Sequence, residues 1–205
     1  MARKQDRRKA SPAATVLTVL VLAALFVWRM LSPEDGKTQI TLPSGELHVW
    51  FLDVGQADSS LLVCDGQAML IDGGNVDDAS YVVSSLEQYG VTSLDYVINT
   101  HCDEDHVGGL AGVLAKFPAG HVWSSTAEYG TKAFSNFVKY ANEQGRDIEI
   151  PSPGDTFTLG EAEITVLGPL RDYENNNENS IVLRVDYGET SFLFTGDMGI
   201  TAEDE

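Results

Sequence analysis

The sequence has few positive charges outside its first residues. Its 205 residues carry 13 Lys and Arg against 31 Asp and Glu, which gives a net charge of −18. Five of the basic side chains fall within residues 1–12, and only seven follow Arg29, so the rest of the chain has a net charge near −23. A surface this acidic repels the phosphate backbone of a nucleic acid at long range. A nucleic-acid ligand would therefore need metal ions, or a positive segment, to offset that field.

Cysteine and histidine are also scarce. The two cysteines, Cys64 and Cys102, lie 38 residues apart and form no C-x-x-C pair. Two cysteines are too few for a disulfide framework. Of the four histidines, His101 and His106 share one short segment, residues 99–109, with three carboxylates. This composition excludes a cysteine-based zinc site and leaves histidine and carboxylate as the candidate ligands.

Only one long apolar run occurs in the sequence. Residues 13–28 contain no charge, and with Met30 and Leu31 they predict a transmembrane anchor over residues 13–31. The basic residues 1–12 predict a cytoplasmic segment, so we expect a single-pass protein of the cell membrane with the rest of the chain extracellular. A cleaved signal peptide is the alternative, although no small-x-small cleavage site follows the run.

Residues 32–45 predict a linker, and residues 46–205 predict one α/β domain. Alternating apolar residues and turn signals predict an antiparallel meander, with strands at 47–54, 60–64 and 68–71. The remaining elements predicted are helices at 77–89, 109–117 and 132–144, strands at 94–98 and 121–123, and hairpins at 156–167 and 180–194. The asparagine-rich residues 174–179 predict a loop.

The ligand-rich turn from His101 to His106 is the strongest chemical signal. His101, Asp103 and Asp105 lie at positions i, i+2 and i+4, and His106 follows directly. Imidazole and carboxylate suit Zn²⁺, Mn²⁺ or Fe²⁺. On an irregular turn between a strand and a helix, these side chains can divide between two adjacent metal positions, which would need a bridging carboxylate from elsewhere.

Two aspartates at other predicted strand ends are candidates to complete such a site. Asp197 follows an apolar strand and Gly196, and it is the candidate bridge. Asp72 follows the third strand, and we expect it either to ligate or to orient the turn through a hydrogen bond. The alternative is that His101–His106 is a solvated acidic loop and that both aspartates are ordinary turn residues.

These segments carry a family resemblance. His101-x-Asp103-x-Asp105-His106 followed by Gly-Gly resembles the His-x-His-x-Asp-His signature of the metallo-β-lactamase fold. Four further segments resemble the extracellular hydrolase domain of ComEC-type DNA-uptake proteins and their free-standing relatives; they are residues 49–59, 70–74, 175–183 and 192–197. The resemblance covers residues 46–199, which is nearly the whole predicted domain.

The resemblance implies a four-layer αβ/βα sandwich with two divalent transition metals, Zn or Mn, at one edge of its sheets. By position, His101 and Asp103 would hold the first metal, Asp105 and His106 the second, and Asp197 would bridge them. Asp72 would support the turn, and Asp105 and Asp72 are the expected catalytic carboxylates. The implied reaction is hydrolysis of a phosphodiester, possibly DNA, by a metal-bound hydroxide.

Two features depart from the family pattern. Asp103 stands where the signature has its second histidine, which shifts the expected preference toward a harder ion such as Mn²⁺. Members also continue to a final metal-binding histidine, and no histidine follows Asp197 here, so we expect an incomplete domain with its C-terminal part missing. His48, His121 and Cys102 are expected to be structural.

Two alternative functions remain at this stage. One is a metallo-hydrolase of another small substrate, such as an ester, lactam or thioester, which the acidic composition favours. The other is a truncated, non-catalytic metal-binding module. The partners predicted are the membrane, through residues 13–31, and possibly DNA or another phosphodiester; no protein partner is predicted.

Overall fold

The computed structural model describes residues 42–205. The predicted cytoplasmic segment, the predicted anchor at residues 13–31 and most of the predicted linker lie outside the described residues. Within residues 42–205, no helix has both the length and the apolar character needed to cross a membrane.

The first sheet has five strands in sequence order. They are β1 (Leu47–Phe51), β2 (Ser60–Cys64), β3 (Gln67–Ile71), β4 (Leu94–Asn99) and β5 (Ala119–Ser124). The first three form the predicted antiparallel meander, and β3, β4 and β5 run parallel. Asp65 and Gly66 both have positive φ, of 51° and 81°, as a two-residue hairpin turn requires. β1 ends at Phe51 rather than at residue 54, because the chain turns there toward the loop of residues 55–58.

Helices cover one face of this sheet. They are α1 (Ala79–Gln88), α2 (Glu104–Val107), α3 (Leu110–Lys116) and α4 (Lys132–Glu143). In α4 the Thr131 hydroxyl caps the first turn by accepting from the backbone N–H of Phe134 at 3.3 Å. Phe134 and Phe137 are buried on its inner face, and Gly145, with a φ of 71°, follows its C-terminal end. The predicted helices are confirmed to within two residues at each end.

A second sheet covers the other face. Its antiparallel strands are β6 (Thr156–Leu159), β7 (Ala162–Gly168), β8 (Val182–Tyr187) and β9 (Thr190–Phe194). Its inward side chains, such as Ile164 and Val185, share one core with Leu62, Met69 and Ile98 of the first sheet. Because both faces of the first sheet are covered, β2 and β3 are buried almost throughout and have runs of apolar residues rather than strict alternation.

Residues 42–205 thus form three layers in the order helices, mixed sheet and antiparallel sheet. This is an αβ/β arrangement and supplies three of the four layers expected from the resemblance. Within the described residues, the helix that follows the second sheet is the single turn α5 (Ile200–Glu203).

The ligand-rich turn differs from its prediction as an irregular segment. Residues 104–107 form one turn of helix, α2, because the Asp103 carbonyl accepts from the backbone N–H groups of His106 at 3.1 Å and Val107 at 3.0 Å. This turn sends His106 into the interior, where it is 2% exposed, and leaves Glu104 on the surface. A second short element, a 3₁₀ turn at Asn177–Asn179, lies within the predicted asparagine-rich loop.

Three glycines allow the ligand turn to touch the loop after β3. Gly73 donates its N–H to the His106 carbonyl at 2.7 Å, and Gly109 donates to the Gly74 carbonyl at 3.1 Å. A β-carbon on Gly109 would lie only 2.0 Å from the Gly73 carbonyl oxygen. The backbone contact that holds the turn therefore requires glycine.

We expect Gly109→Ala to destabilise the fold by about 1–3 kcal/mol or more, because backbone must move to admit the methyl group. The matched control is Gly130→Ala, since a β-carbon there would have nothing within 4 Å and no positive φ is involved. Urea unfolding of both variants measures the change. Equal stability of the two variants would contradict the close contact.

Candidate metal centre

The candidate ligands gather where strands of both sheets end. β3 and β4 are parallel neighbours, so their carboxyl ends lie at one edge of the first sheet. Asp72 follows β3, and His101 follows β4. β9 of the second sheet ends at the same edge, which brings Asp197 to within ion-pair distance of His106.

The Asp72 carboxylate is at the centre of this edge. It is 1% exposed and accepts the Thr100 backbone N–H at 2.8 Å and the Thr100 hydroxyl at 2.7 Å. Its Oδ2 also lies 2.9 Å from Nδ1 of His106. Of the two roles predicted for Asp72, this geometry favours the orienting one, because the bond to Nδ1 leaves Nε2 of His106 available as a ligand atom.

Three ligand atoms converge on one point. The ligand atoms of His101, His106 and Asp197 all lie within 4.8 Å of one another, and His106 Nε2 is 3.4 Å from Asp197 Oδ1. Two atoms that bind one cation through bonds of ~2.0–2.2 Å lie closer together than the sum of those bonds, and 3.4 Å fits a bent ligand–metal–ligand angle. His101 Nε2 is buried and has no hydrogen-bond partner among the described residues. An orphaned buried imidazole nitrogen beside a carboxylate fits a divalent cation.

The two imidazoles differ in protonation although their ring centroids are only 4.1 Å apart. Burial lowers the pKa of His101, and the positive charge of His106 lowers it further. For His106, burial also favours the neutral ring, but the hydrogen bond and charge of Asp72 outweigh it and raise the pKa to about 9. The lowered pKa favours a neutral ring at His101, as a metal ligand requires, whereas the raised pKa of His106 favours a proton that a bound cation would have to replace.

Asp103 and Asp105 border this group on different sides. Asp103 Oδ2 lies 3.7 Å from His101 Nε2, so the structure brings together the two residues that are predicted to share a metal. The Asp105 carboxylate accepts from Gln56 Nε2 at 3.1 Å. The described geometry does not place Asp105 among the three converging ligand atoms.

The loop of residues 55–58 contributes one more carboxylate. Asp58 forms a second group with Asp72 and His106 within 4.8 Å, and its backbone N–H donates to the Asp105 carbonyl at 3.1 Å. Burial raises the pKa of Asp58, and the charge of Asp72 adds to the effect. The sequence motif that contains Gln56 and Asp58 thus serves to hold the ligand turn and to add negative charge beside it. Crowded carboxylates repel each other, so this charge favours cation binding.

Sequence reasoning missed the role of the asparagine-rich segment. Asn176 Nδ2 donates to Asp103 Oδ1 at 2.7 Å, and Asn177 Nδ2 lies 3.4 Å from Asp197 Oδ2. Each of these amides restrains a carboxylate that the resemblance assigns as a ligand. In the sequence, only the similarity of this segment to a family motif indicated such a role, because its composition alone predicts a loop.

Ser180 and Gly196 hold the end of the second sheet against the turn. The Ser180 hydroxyl accepts from the Asp197 backbone N–H at 3.2 Å and lies 3.4 Å from His101 Nδ1. Gly196 has a φ of 50°, and a β-carbon there would lie 2.8 Å from the Thr100 hydroxyl oxygen. Asp197 is therefore placed by the packing of β9 against the segment after β4.

The residues expected to be structural make contacts consistent with that role. Cys102 is fully buried, and burial raises its pKa to about 11, so its thiol stays protonated. His121 pairs with Glu149 at 2.9 Å, and His48 lies 3.4 Å from Glu46. None of the three belongs to a candidate ligand group among residues 42–205.

A mixed sheet with helices on one face and a second sheet on the other, with histidines and aspartates at its edge, defines a metallo-hydrolase fold. Residues 52–205 match the profile of the Metallo-beta-lactamase superfamily, and the chain belongs to this superfamily.

Three curated proteins are similar to most of this chain. Competence protein ComA of Neisseria gonorrhoeae is 30% identical over 187 residues, 91% of this chain and 23% of the relative. ComE operon protein 3 of Bacillus subtilis (strain 168) is 27% identical over 204 residues, 90% of this chain and 25% of the relative. Recombination protein 2 of Haemophilus influenzae is 28% identical, over 78% of this chain and 19% of the relative. The chain thus spans a quarter or less of their length.

Solved structures show the same fold. A Cronobacter sakazakii metallo-β-lactamase with a HARLDQ motif aligns with a TM-score of 0.51 and 19% identity, over 72% of this chain and 58% of its own. A Staphylococcus aureus metallo-β-lactamase aligns with a TM-score of 0.51 and 20% identity, over 75% of this chain and 44% of its own. At these identities the similarity concerns the fold alone.

We expect Asp72→Asn to weaken binding of Mn²⁺ or Zn²⁺ by about 10- to 100-fold, because an amide offers fewer acceptors to the three donors around it and orients His106 less firmly. Isothermal titration of the full chain measures the affinity. Asp77→Asn, at an exposed position of the 3₁₀ turn Val76–Asp78, is the matched control and should bind as the unaltered chain does. Unchanged affinity of Asp72→Asn would contradict its orienting role.

Proposed function

We propose that this domain is a metal-dependent phosphodiesterase that acts outside the cytoplasm on DNA or a related phosphodiester. The convergence of His101, His106 and Asp197 at one sheet edge carries the proposal. The relatives support the choice of substrate, since their names refer to competence and recombination.

We assign two divalent cations, Zn²⁺ or Mn²⁺, to this edge. His101 and Asp103 would hold the first, Asp105 and His106 the second, and Asp197 would lie between them. Divalent cations in such a pair polarise a phosphoryl group and lower the pKa of water. The carboxylate at position 103 favours the harder Mn²⁺ over Zn²⁺.

The chain's own residues would prepare this site before substrate arrives. Asp72 fixes His106, Gln56 restrains Asp105, and Asn176 restrains Asp103. The imidazoles are buried, whereas the Asp103 and Asp197 side chains are each 43% exposed. Substrate would therefore approach from the carboxylate side, where only bound cations make the field attractive to a phosphate.

The acidic composition favours a second candidate, a hydrolase of a small ester, lactam or thioester. A small substrate does not need an extended basic surface, and six lysines and arginines occur among residues 42–205. A metal-binding module without turnover is the third outcome that the experiment below distinguishes.

We expect the full chain, purified in detergent, to bind Mn²⁺ or Zn²⁺ and to cleave bis-p-nitrophenyl phosphate. Asp105→Ala should lower kcat/KM by more than ~10²-fold, because a ligand is lost. Asp147→Ala, an exposed loop carboxylate, is the matched control and should keep the activity. Release of p-nitrophenol and metal analysis are the measurements.

Each outcome of that experiment separates the candidates. A chain that binds no transition metal would refute both enzymatic functions. Bound metal with ester turnover but no phosphodiester turnover would favour the small-substrate hydrolase, and bound metal without any turnover would favour the binding module. A near-normal rate for Asp105→Ala would remove Asp105 from the ligand set.

We also propose that residues 13–31 anchor the chain in the cell membrane, on the basis of the uncharged run and its basic flank. After expression in a bacterium, the intact chain should stay in the membrane pellet at alkaline pH, and external protease should reach residues 42–205. Release of a soluble form lacking residues 1–31 would instead indicate a cleaved signal peptide.

A further inference from the structure

A depression beside the metal centre is lined by two tyrosines, Tyr129 and Tyr173, together with the exposed Ile150 and the amide of Asn176. Its volume is about 590 Å³, more than enough for one planar heterocycle. A second depression, of about 520 Å³, shares Asp172, Tyr173 and Glu174 with it.

One side chain joins the depression to the candidate metal centre. Asn176 lines it and also donates to Asp103 Oδ1 at 2.7 Å. A substrate with its phosphate at the metals would therefore place the neighbouring chemical group in this depression.

Both tyrosine rings are held by other side chains. Tyr129 packs edge-on against Phe134, with 6.1 Å between ring centroids, and remains 37% exposed. Tyr173 has the Arg171 guanidinium over its ring at 4.2 Å, and its hydroxyl lies 3.0 Å from Glu205 Oε2. Rings fixed in this way lose little entropy when a planar group stacks on them.

The charge of the lining selects against phosphate. None of the lining residues, all of which belong to the described part of the chain, is Lys or Arg, and Glu128, Asp172 and Glu174 are carboxylates. A phosphate in this depression would be repelled. A neutral planar group avoids that repulsion and gains stacking on tyrosine, together with hydrogen bonds to amides.

We propose that this depression binds an unpaired nucleobase next to the scissile phosphodiester, so that the preferred substrate is a single-stranded nucleic acid. The proposal rests on the proposed function for the position of the phosphate. A paired base would first have to leave its duplex, at a cost of unstacking and unpairing. A single strand also brings fewer phosphates near the acidic surface than a duplex does, so the electrostatic repulsion is weaker.

The test compares two phosphodiesters that share a leaving group, thymidine 5′-(p-nitrophenyl phosphate) and methyl p-nitrophenyl phosphate, with the Mn²⁺-loaded full chain. We expect Tyr129→Ala to lower kcat/KM for the thymidine substrate by roughly 5- to 150-fold, the range for loss of one base–aromatic stack, and to leave the methyl substrate nearly unchanged. Tyr129→Phe should retain the preference, because it keeps the ring. Tyr81→Ala removes an exposed tyrosine of α1 and is the matched control.

A measurement of oligonucleotide affinity tests the proposal even if neither diester is hydrolysed. Fluorescence anisotropy compares a labelled pentathymidine with phosphorothioate linkages, which keep the negative charge, with its abasic counterpart and with a blunt-ended hairpin long enough to stay paired. We expect the pentathymidine to bind at least about 5-fold more tightly than the other two, and Tyr129→Ala to abolish that difference. Equal binding of the abasic oligomer, tighter binding of the hairpin, or equal losses on both diesters would overturn the proposal. Absence of turnover with base-dependent binding would refute the phosphodiesterase function and leave the base site standing.

Discussion

The hydrogen bonds of the buried Asp72 carboxylate hold the metal centre together. Asp72 follows β3, yet it accepts from Thr100 at the end of β4 and lies within hydrogen-bond distance of His106 in the ligand turn. One side chain therefore joins three separate parts of the chain at one sheet edge. Because it is 1% exposed, water does not compete for these bonds, and their loss would leave buried donors without acceptors.

The same carboxylate makes two neighbouring histidines unequal. Asp72 raises the pKa of His106 to about 9 despite the burial of that ring, whereas burial and the charge of His106 lower the pKa of His101. The protonated form is therefore favoured for His106 and the neutral form for His101. Asp58 and Asp197 add negative charge around the two imidazoles. A proton on His106 offsets the repulsion between these carboxylates only in part, and a bound divalent cation would offset more of it. The acidic composition that argues against nucleic acid in general thus suits a cation-loaded site.

Most of the fold could be predicted from periodicity and turn chemistry. The meander, the three long helices and both hairpins of the second sheet follow from local patterns, because each pattern agrees with the burial of its element. Local patterns did not reveal α2 or the 3₁₀ turn at Asn177–Asn179, since such short elements depend on a few backbone hydrogen bonds. The candidate ligands could be named from residue type and strand-end position. The hydrogen bonds that Gln56, Asn176 and Asn177 make to carboxylates could not be predicted, because their partners lie 49, 73 and 20 residues away in sequence.

The type of chemistry can be inferred without a structure, because histidines and carboxylates share one turn after a buried strand and aspartates follow two other strands. The contacts that give each of these residues its role depend on the tertiary structure. The fold places the Asp72 carboxylate within hydrogen-bond distance of His106 Nδ1 and lets the Gln56 amide donate to Asp105. It also brings Asp197, which follows the second sheet, to within 3.4 Å of His106. The physical reason is that residue types limit which atoms can bind a cation, whereas the packing of two sheets fixes the distances and burial that make them a site.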